Sequence, residues 1–203
     1  MNSAAGGIGC IVLAAGRSRR FGSDKRLQRL PSGRTLLEET VAVVEPLFVH
    51  RVLVLRPGDE KLAEAFHSAW HVVQAEDADR GMGHSLAAAL AHCADWQGAV
   101  IALADMPWVA ASTHAAVRDA LSAERLVVPC FGGERGNPVG IGRAFFPTLR
   151  RPAGDTGARE LFKSRAAEVL HLEVADPGIL RDLDVPGQDC RWEPTQAPKK
   201  SPA

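Results

Sequence analysis

Four cations crowd a small loop near the start of the chain: in IGCIVLAAGRSRRFGSDK, residues 8–25, an apolar run opens onto Arg17, Arg19, Arg20 and Lys25. Leu13 ends the run. Ala14, Ala15 and Gly16 then present almost no side chain, so backbone N–H groups can approach an anion that the cations neutralise. The chemistry suggested is polyphosphate binding; the alternative is an ordinary strand-to-helix turn whose arginines are only solvated. Neither G-x-G-x-x-G nor G-x-x-x-x-G-K-[ST] is present, because Gly16 is followed by Gly22 and then Ser23, Asp24 and Lys25. The loop belongs to a different nucleotide fold.

Carboxylates supply the second ingredient. Asp105 follows AVIALA and should emerge at the carboxyl end of a central strand, where it can hold a metal beside a triphosphate or cap backbone amides in a turn before Pro107. Met106 and Trp108 read as packing or pocket wall. In RDLDVP, Asp182 and Asp184 alternate along an extended segment and would face one side, as metal ligands or as an acidic turn. In GMGHSL, Gly81 and Gly83 permit a tight turn with close backbone approach. Ser85 there can bond a nucleobase or sugar, or cap the helix that follows, and His84 is expected to be exposed.

Taken together, LAAG-x-S-x-R-x-G-x-x-K, GMGHSL, LADMP at 103–107, GERGNPV at 133–139, GDTGAR at 154–159 and DLDVP at 182–186 form an ordered set. The set resembles the MobA-like nucleotidyltransferases, in particular the branch of molybdopterin cytidylyl- and guanylyltransferases, over roughly residues 8–187. The resemblance implies an α/β chain with a three-layer α/β/α, Rossmann-like nucleotidyltransferase fold and a mostly parallel central sheet. It also implies a Mg²⁺-dependent transfer of a nucleoside monophosphate from a nucleoside triphosphate to the phosphate of molybdenum-molybdopterin, with pyrophosphate released.

Roles follow residue by residue from the same resemblance. Leu13, Ala14, Ala15, Gly16, Arg17, Arg20, Lys25, Gly81, Ser85 and Asp105 would bind the nucleotide. Arg17 and Lys25 would hold phosphates, and Asp105 with Asp184 would hold the metal. Arg135, Asn137, Asp155 and Gly157 would serve the acceptor, although Arg135 is equally readable as a solvated side chain and Asp155 as a helix cap. Ala15, where guanylyltransferases tend to have a second glycine, favours CTP. A guanylyl donor, a sugar-phosphate acceptor and a non-catalytic cofactor carrier are the alternatives. Two departures are Asn137, where the family often has histidine, and Val185, where it usually has threonine. An apo-molybdoenzyme is a conceivable recipient of product, and a monomer or weak homo-oligomer is the expected state.

The elements that must position these groups are legible as alternation. Short apolar runs at 8–13, 51–55, 70–74, 99–104 and 126–129 read as buried strands. Between them, Thr35 to Glu38 is a capping box opening a helix, and helical spacing recurs at 60–69, 85–94 and 113–122. The glycines at 132–142 break the rhythm and predict an antiparallel excursion or a plain hairpin, followed by a helical piece near 145–149. Ligands should then collect at the carboxyl ends of the strands.

Composition agrees with an enzyme of one domain. The chain has 203 residues, 46% of them hydrophobic, enough to bury a core. Basic and acidic residues balance at 24 each, which excludes a generic nucleic-acid or membrane-surface binder. No apolar run approaches a membrane span, and a cytoplasmic location is expected. Cys10, Cys93, Cys130 and Cys190 are scattered and read as reduced thiols. The expected layout is a flexible start at 1–7, a transferase domain at 8–190 and a disordered tail at 191–203.

Overall fold

The computed structural model describes residues 6–17, 21–151 and 157–183. Eight strands form one sheet: β1 (Gly6–Leu13), β2 (Arg51–Leu55), β3 (His71–Gln74), β4 (Trp96–Leu103), β5 (Leu126–Phe131), β6 (Glu134–Arg135), β7 (Val139–Gly142) and β8 (Val169–Glu173). Their order is β3-β2-β1-β4-β7-β5-β6, with β8 also paired to β5. β1 is flanked in parallel by β2 and β4, with Leu13 opposite both Val54 and Leu103. β7 runs antiparallel between β4 and β5, the short β6 pairs antiparallel with β5, and the other pairings are parallel, so the sheet is mostly parallel.

Strand alternation sends side chains to two faces, and helices cover both. Ile11, Leu13, Val52, Val54, Ala99 and Ile101 pack beneath α3 (Met82–Leu90), α5 (Phe146–Leu149) and α6 (Gly157–Ser164). Cys10, Val12, Leu53, Leu55, Val100 and Ala102 point the other way, onto α1 (Leu36–Val44), α2 (Glu60–Phe66) and α4 (Ala111–Ala120). The result is a three-layer α/β/α, Rossmann-like molecule. Both faces of the parallel strands are buried, which is why they read as continuous apolar runs.

Local signals act where expected. Thr35 Oγ1 accepts from Glu38 N–H while the Glu38 carboxylate accepts from Thr35 N–H, closing the capping box. Gly132 and Gly133, at φ 60° and 87°, form the two-residue turn between β5 and β6. Successive positive φ values match the twist of a tight hairpin, and β7 then returns antiparallel, so the glycine-rich stretch contains both hairpin and excursion. β4 begins three residues before the apolar run suggested, at Trp96, whose ring occupies the space that a Cβ on Gly9 would need.

Cys10, Cys93 and Cys130 are buried free thiols, and burial drives Cys10 upward and Cys93 to about 12 in pKa. Cys190 lies outside the described residues, as do the segments 1–5 and 191–203. Among the described residues no helix is long and apolar enough to cross a membrane.

Candidate active site

In an open sheet the crevice forms where strand order reverses, and here that point lies between β1 and β4. Two cavities open over their carboxyl ends. The first, about 320 Å³, is lined by Leu13, Ala14, Ala15, Gly16, Lys25, Gly81, Ser85 and Asp105, with Arg26, Met82 and Leu103 among the rest. All the described residues expected to bind nucleotide, apart from Arg17, thus meet on one surface. The second, about 570 Å³, shares Leu13, Met82 and Leu103 with the first, so the two adjoin.

Asp105 follows β4 by two residues, and its Oδ2 accepts a 2.7 Å hydrogen bond from Lys25 Nζ. Both side chains are mostly buried. Lys25 also donates to the carbonyl of Leu183 at 3.2 Å, and Leu183 N–H donates to the Asp105 carbonyl at 3.0 Å. Leu183 of the DLDVP motif is therefore held against the end of β4. Asp184 lies outside the described residues, as do Arg19, Arg20 and Asp155. Among the described residues, no cluster of three or more metal-ligating side chains occurs.

Three details differ from expectation. Arg17 does not line the first cavity; its exposed guanidinium pairs with the Asp79 carboxylate. The pair is about half exposed on both sides, and such pairs contribute only about 0–1 kcal/mol, so a phosphate competes with little penalty. Second, α3 starts at Met82 and its N-cap position is Gly81, which places Ser85 inside the helix and removes its capping role. Third, that earlier start puts His84 in the first turn of α3, where it is buried, its Nδ1 without a hydrogen-bond partner among the described residues. Gly81 has φ 121° and ψ 166°, a conformation essentially reserved for glycine, and this aims the start of α3 at the cavity.

An ion network beneath the loop was not visible in the sequence. Arg26 is 3% exposed. It donates to Asp24 through Nε at 2.8 Å and Nη2 at 2.5 Å, to Asp59 through Nη1 at 2.5 Å and Nη2 at 2.8 Å, and to the Ala14 carbonyl at 2.8 Å. Arg56, one residue past β2, donates to Asp24 at 2.7 Å and to the Gly16 carbonyl at 2.8 Å. Burial works against the Asp24 carboxylate, but the Arg26 bonds and the charges of Arg26 and Arg56 outweigh it and hold its pKa below the usual range. Burial likewise disfavours the Arg26 cation, and Asp24 and Asp59 more than compensate. Arg56 and Asp59 could have been sought by the strand-end rule that singled out Asp105, since both follow β2 closely.

Arg135, Asn137, Arg159 and Lys163 line the second cavity with apolar Leu86, Ile101, Val128, Ile141 and Phe162, and no carboxylate is among its described lining residues. Arg135 is exposed and approaches His171 Nε2 at 3.2 Å. Asn137 N–H donates to the Ile179 carbonyl at 3.0 Å, anchoring the entry to β7. Gly157 begins α6. The site thus pairs a glycine- and alanine-lined cleft holding a lysine and a carboxylate with an apolar chamber rimmed by cations.

The MobA-like NTP transferase domain matches residues 10–169. The chain belongs to that family. Purine catabolism protein PucB of Bacillus subtilis is 30% identical to this MobA-like chain, over 87% of it and 91% of PucB. A probable molybdenum cofactor guanylyltransferase of Chloroflexus aggregans is 51% identical, but over 22% of the chain and 23% of that protein. Among solved structures, Rv0371c of Mycobacterium tuberculosis superposes with a TM-score of 0.74 at 30% identity, covering 89% of this chain and 94% of that one. A further structure of Rv0371c is a complex with manganese, with a TM-score of 0.71 at 30% identity over 84% of this chain and 89% of that one. The MobA-like chain is accordingly a nucleotidyltransferase.

Proposed function

We propose that the protein transfers a cytidylyl group from CTP to the phosphate of molybdenum-molybdopterin and releases pyrophosphate. The observation that carries this reading is the pair of adjoining cavities over β1 and β4, one lined by the LAAG loop, Lys25 and Asp105, the other apolar and rimmed by Arg135, Arg159 and Lys163. A triphosphate suits the first. A flat ring system bearing an anionic group suits the second. The side chain of Ala15, 4% exposed, lies in the wall where guanylyltransferases tend to have glycine, which favours the smaller pyrimidine donor.

In the reaction, an oxygen of the acceptor phosphate forms a bond to the α-phosphorus as the bond to the bridging oxygen of the pyrophosphate breaks. The acceptor phosphate is already ionised near neutral pH, so no general base is required. Lys25 and the loop amides hold the leaving phosphates, Arg17 exchanges Asp79 for phosphate, and Ser85 faces the nucleoside. Catalysis is positioning with charge neutralisation. Asp105 fits a divalent ion: it is a carboxylate at the cavity floor beside a lysine, and Mg²⁺ needs only one or two protein carboxylates when phosphates complete its shell. With Asp184 as its second ligand, Mg²⁺ would supply charge neutralisation at the phosphates. The manganese complex of Rv0371c, 30% identical to this chain, favours a divalent ion as cofactor.

The local similarity to a probable molybdenum cofactor guanylyltransferase favours GTP as a second reading. Pyrophosphate release with Mg²⁺ and molybdenum-loaded molybdopterin separates the two. Release with CTP and not with GTP or ATP is expected; release with GTP alone would transfer the assignment to the guanylyl donor. Silence with all three would overturn the proposed acceptor and favour a sugar phosphate or a carrier role.

A further inference from the structure

The loop that lines the first cavity is held by two arginines whose charge is already cancelled. Arg26 donates to the carbonyl of Ala14 and Arg56 to that of Gly16, both at 2.8 Å. Asp24 and Asp59 face the two guanidiniums through a closed set of bonds, and all five Arg26 N–H donors are engaged. Two cations against two carboxylates leave no net charge, so the cluster adds little field to the cavity. What it controls is the orientation of two peptide planes.

In a trans peptide the carbonyl of one residue and the N–H of the next point in opposite directions. Fixing the Ala14 and Gly16 carbonyls toward the arginines therefore turns the N–H groups of Ala15 and Arg17 the other way. Ala15 and Gly16 line the cavity, and a Cβ built on Gly16 would meet nothing within 4 Å, so there is room for an anion beside this loop. Among the described residues, the backbone hydrogen bonds outside helices and strands use neither amide. We propose that Arg26 and Arg56 are positioning residues for the donor nucleotide, each locking one peptide so that its N–H, and not its C=O, faces the phosphates. The proposal rests on the reading of the first cavity as a triphosphate site.

Without either anchor, a small-residue peptide is free to flip and present a carbonyl dipole that repels phosphate. Arginine is required at Arg26 because a single side chain must grip two carboxylates and a carbonyl at once, which the lysine ammonium cannot do in one plane. Arg56→Gln removes an anchor on a partly exposed side chain, and Arg26→Lys keeps the charge while losing the fork.

Inorganic tripolyphosphate, titrated calorimetrically into the full chain without acceptor, tests the idea independently of base and acceptor identity. Both variants should bind it about tenfold more weakly than wild type while retaining a cooperative melting transition. In turnover, KM for the nucleotide should rise and KM for the acceptor stay unchanged, a split that general loosening of the fold would not give. Wild-type affinity in Arg56→Gln, or full retention in Arg26→Lys, would overturn the proposal. If Arg26→Lys fails to fold, Arg56→Gln decides alone. Absence of tripolyphosphate binding to wild type would instead defeat the triphosphate reading itself, and the proposal with it.

Discussion

At the scale of single residues, the proposed reaction gives Lys25 and Asp105 different work although they touch. Asp105→Asn keeps the size and a hydrogen-bonding oxygen but removes the charge available to a metal. It should stay folded and lose about a hundredfold or more in kcat, measured by Mg²⁺-dependent pyrophosphate release. Undiminished turnover would remove Asp105 from the site. Lys25→Ala should raise KM for the nucleotide, and an effect confined to the acceptor's KM would move Lys25 to the other cavity. The place of Asp105 was legible because it follows an apolar run, and a group just past a parallel strand falls at the ligand edge by geometry alone, whereas Lys25 was legible as one of the cations after the alanine- and glycine-bearing loop. Arg26 was not legible for the opposite reason: its role depends on Asp59, 33 residues away, and on a carbonyl that carries no sequence signal. Arg17 was expected to hold a phosphate, and nothing local in the sequence announces Asp79 as its partner.

At the scale of elements, α3 links the core to the cleft. Its first turn lines the cavities through Met82 and Ser85, while Ala89 and Leu90 are fully buried near its end. Leu90→Ala should cost about 2–5 kcal/mol of stability by leaving a cavity, with nucleotide KM unchanged in the folded fraction. Gly81→Ala should differ in kind: it forces an alanine into a glycine-only conformation at a cost of about 1–3 kcal/mol and tilts the first turn, so both melting temperature and nucleotide affinity fall. Denaturant titration beside nucleotide binding distinguishes the two. Helix periodicity revealed α3 but set its start too late, because alanines are strong helix formers while Gly81 and Gly83 read as loop. That shift is what turned His84 inward. α1 was placed correctly because its capping box is a purely local device.

For the molecule as a whole, acid should expose a weakness on the face away from the cavities. His114 on α4 is buried, with Nδ1 lacking a partner, and burial lowers its pKa to about 4, opposed by the charge of Asp176. The unfolded chain takes up this proton near the ordinary value of 6.5, so His114 contributes stability that is complete above pH 6.5 and is lost as the pH falls toward about 4. Melting temperature measured across that window should decline in wild type and decline less steeply in His114→Leu; parallel profiles would refute the assignment. The overall architecture was readable since alternating strands and helices admit few topologies, whereas the insertion of β7 between β4 and β5 was not, because strand order is decided by pairing over long distances.

Leu13, Met82 and Leu103 belong to both cavities at once. On the proposed reaction, whichever compound arrives first becomes part of the lining that the second one meets, and the three shared side chains are apolar, with no group suited to carry a nucleotidyl moiety from one to the other. Such a shared floor predicts turnover through a ternary complex with sequential kinetics, the protein being a meeting place whose occupants complete one another's walls.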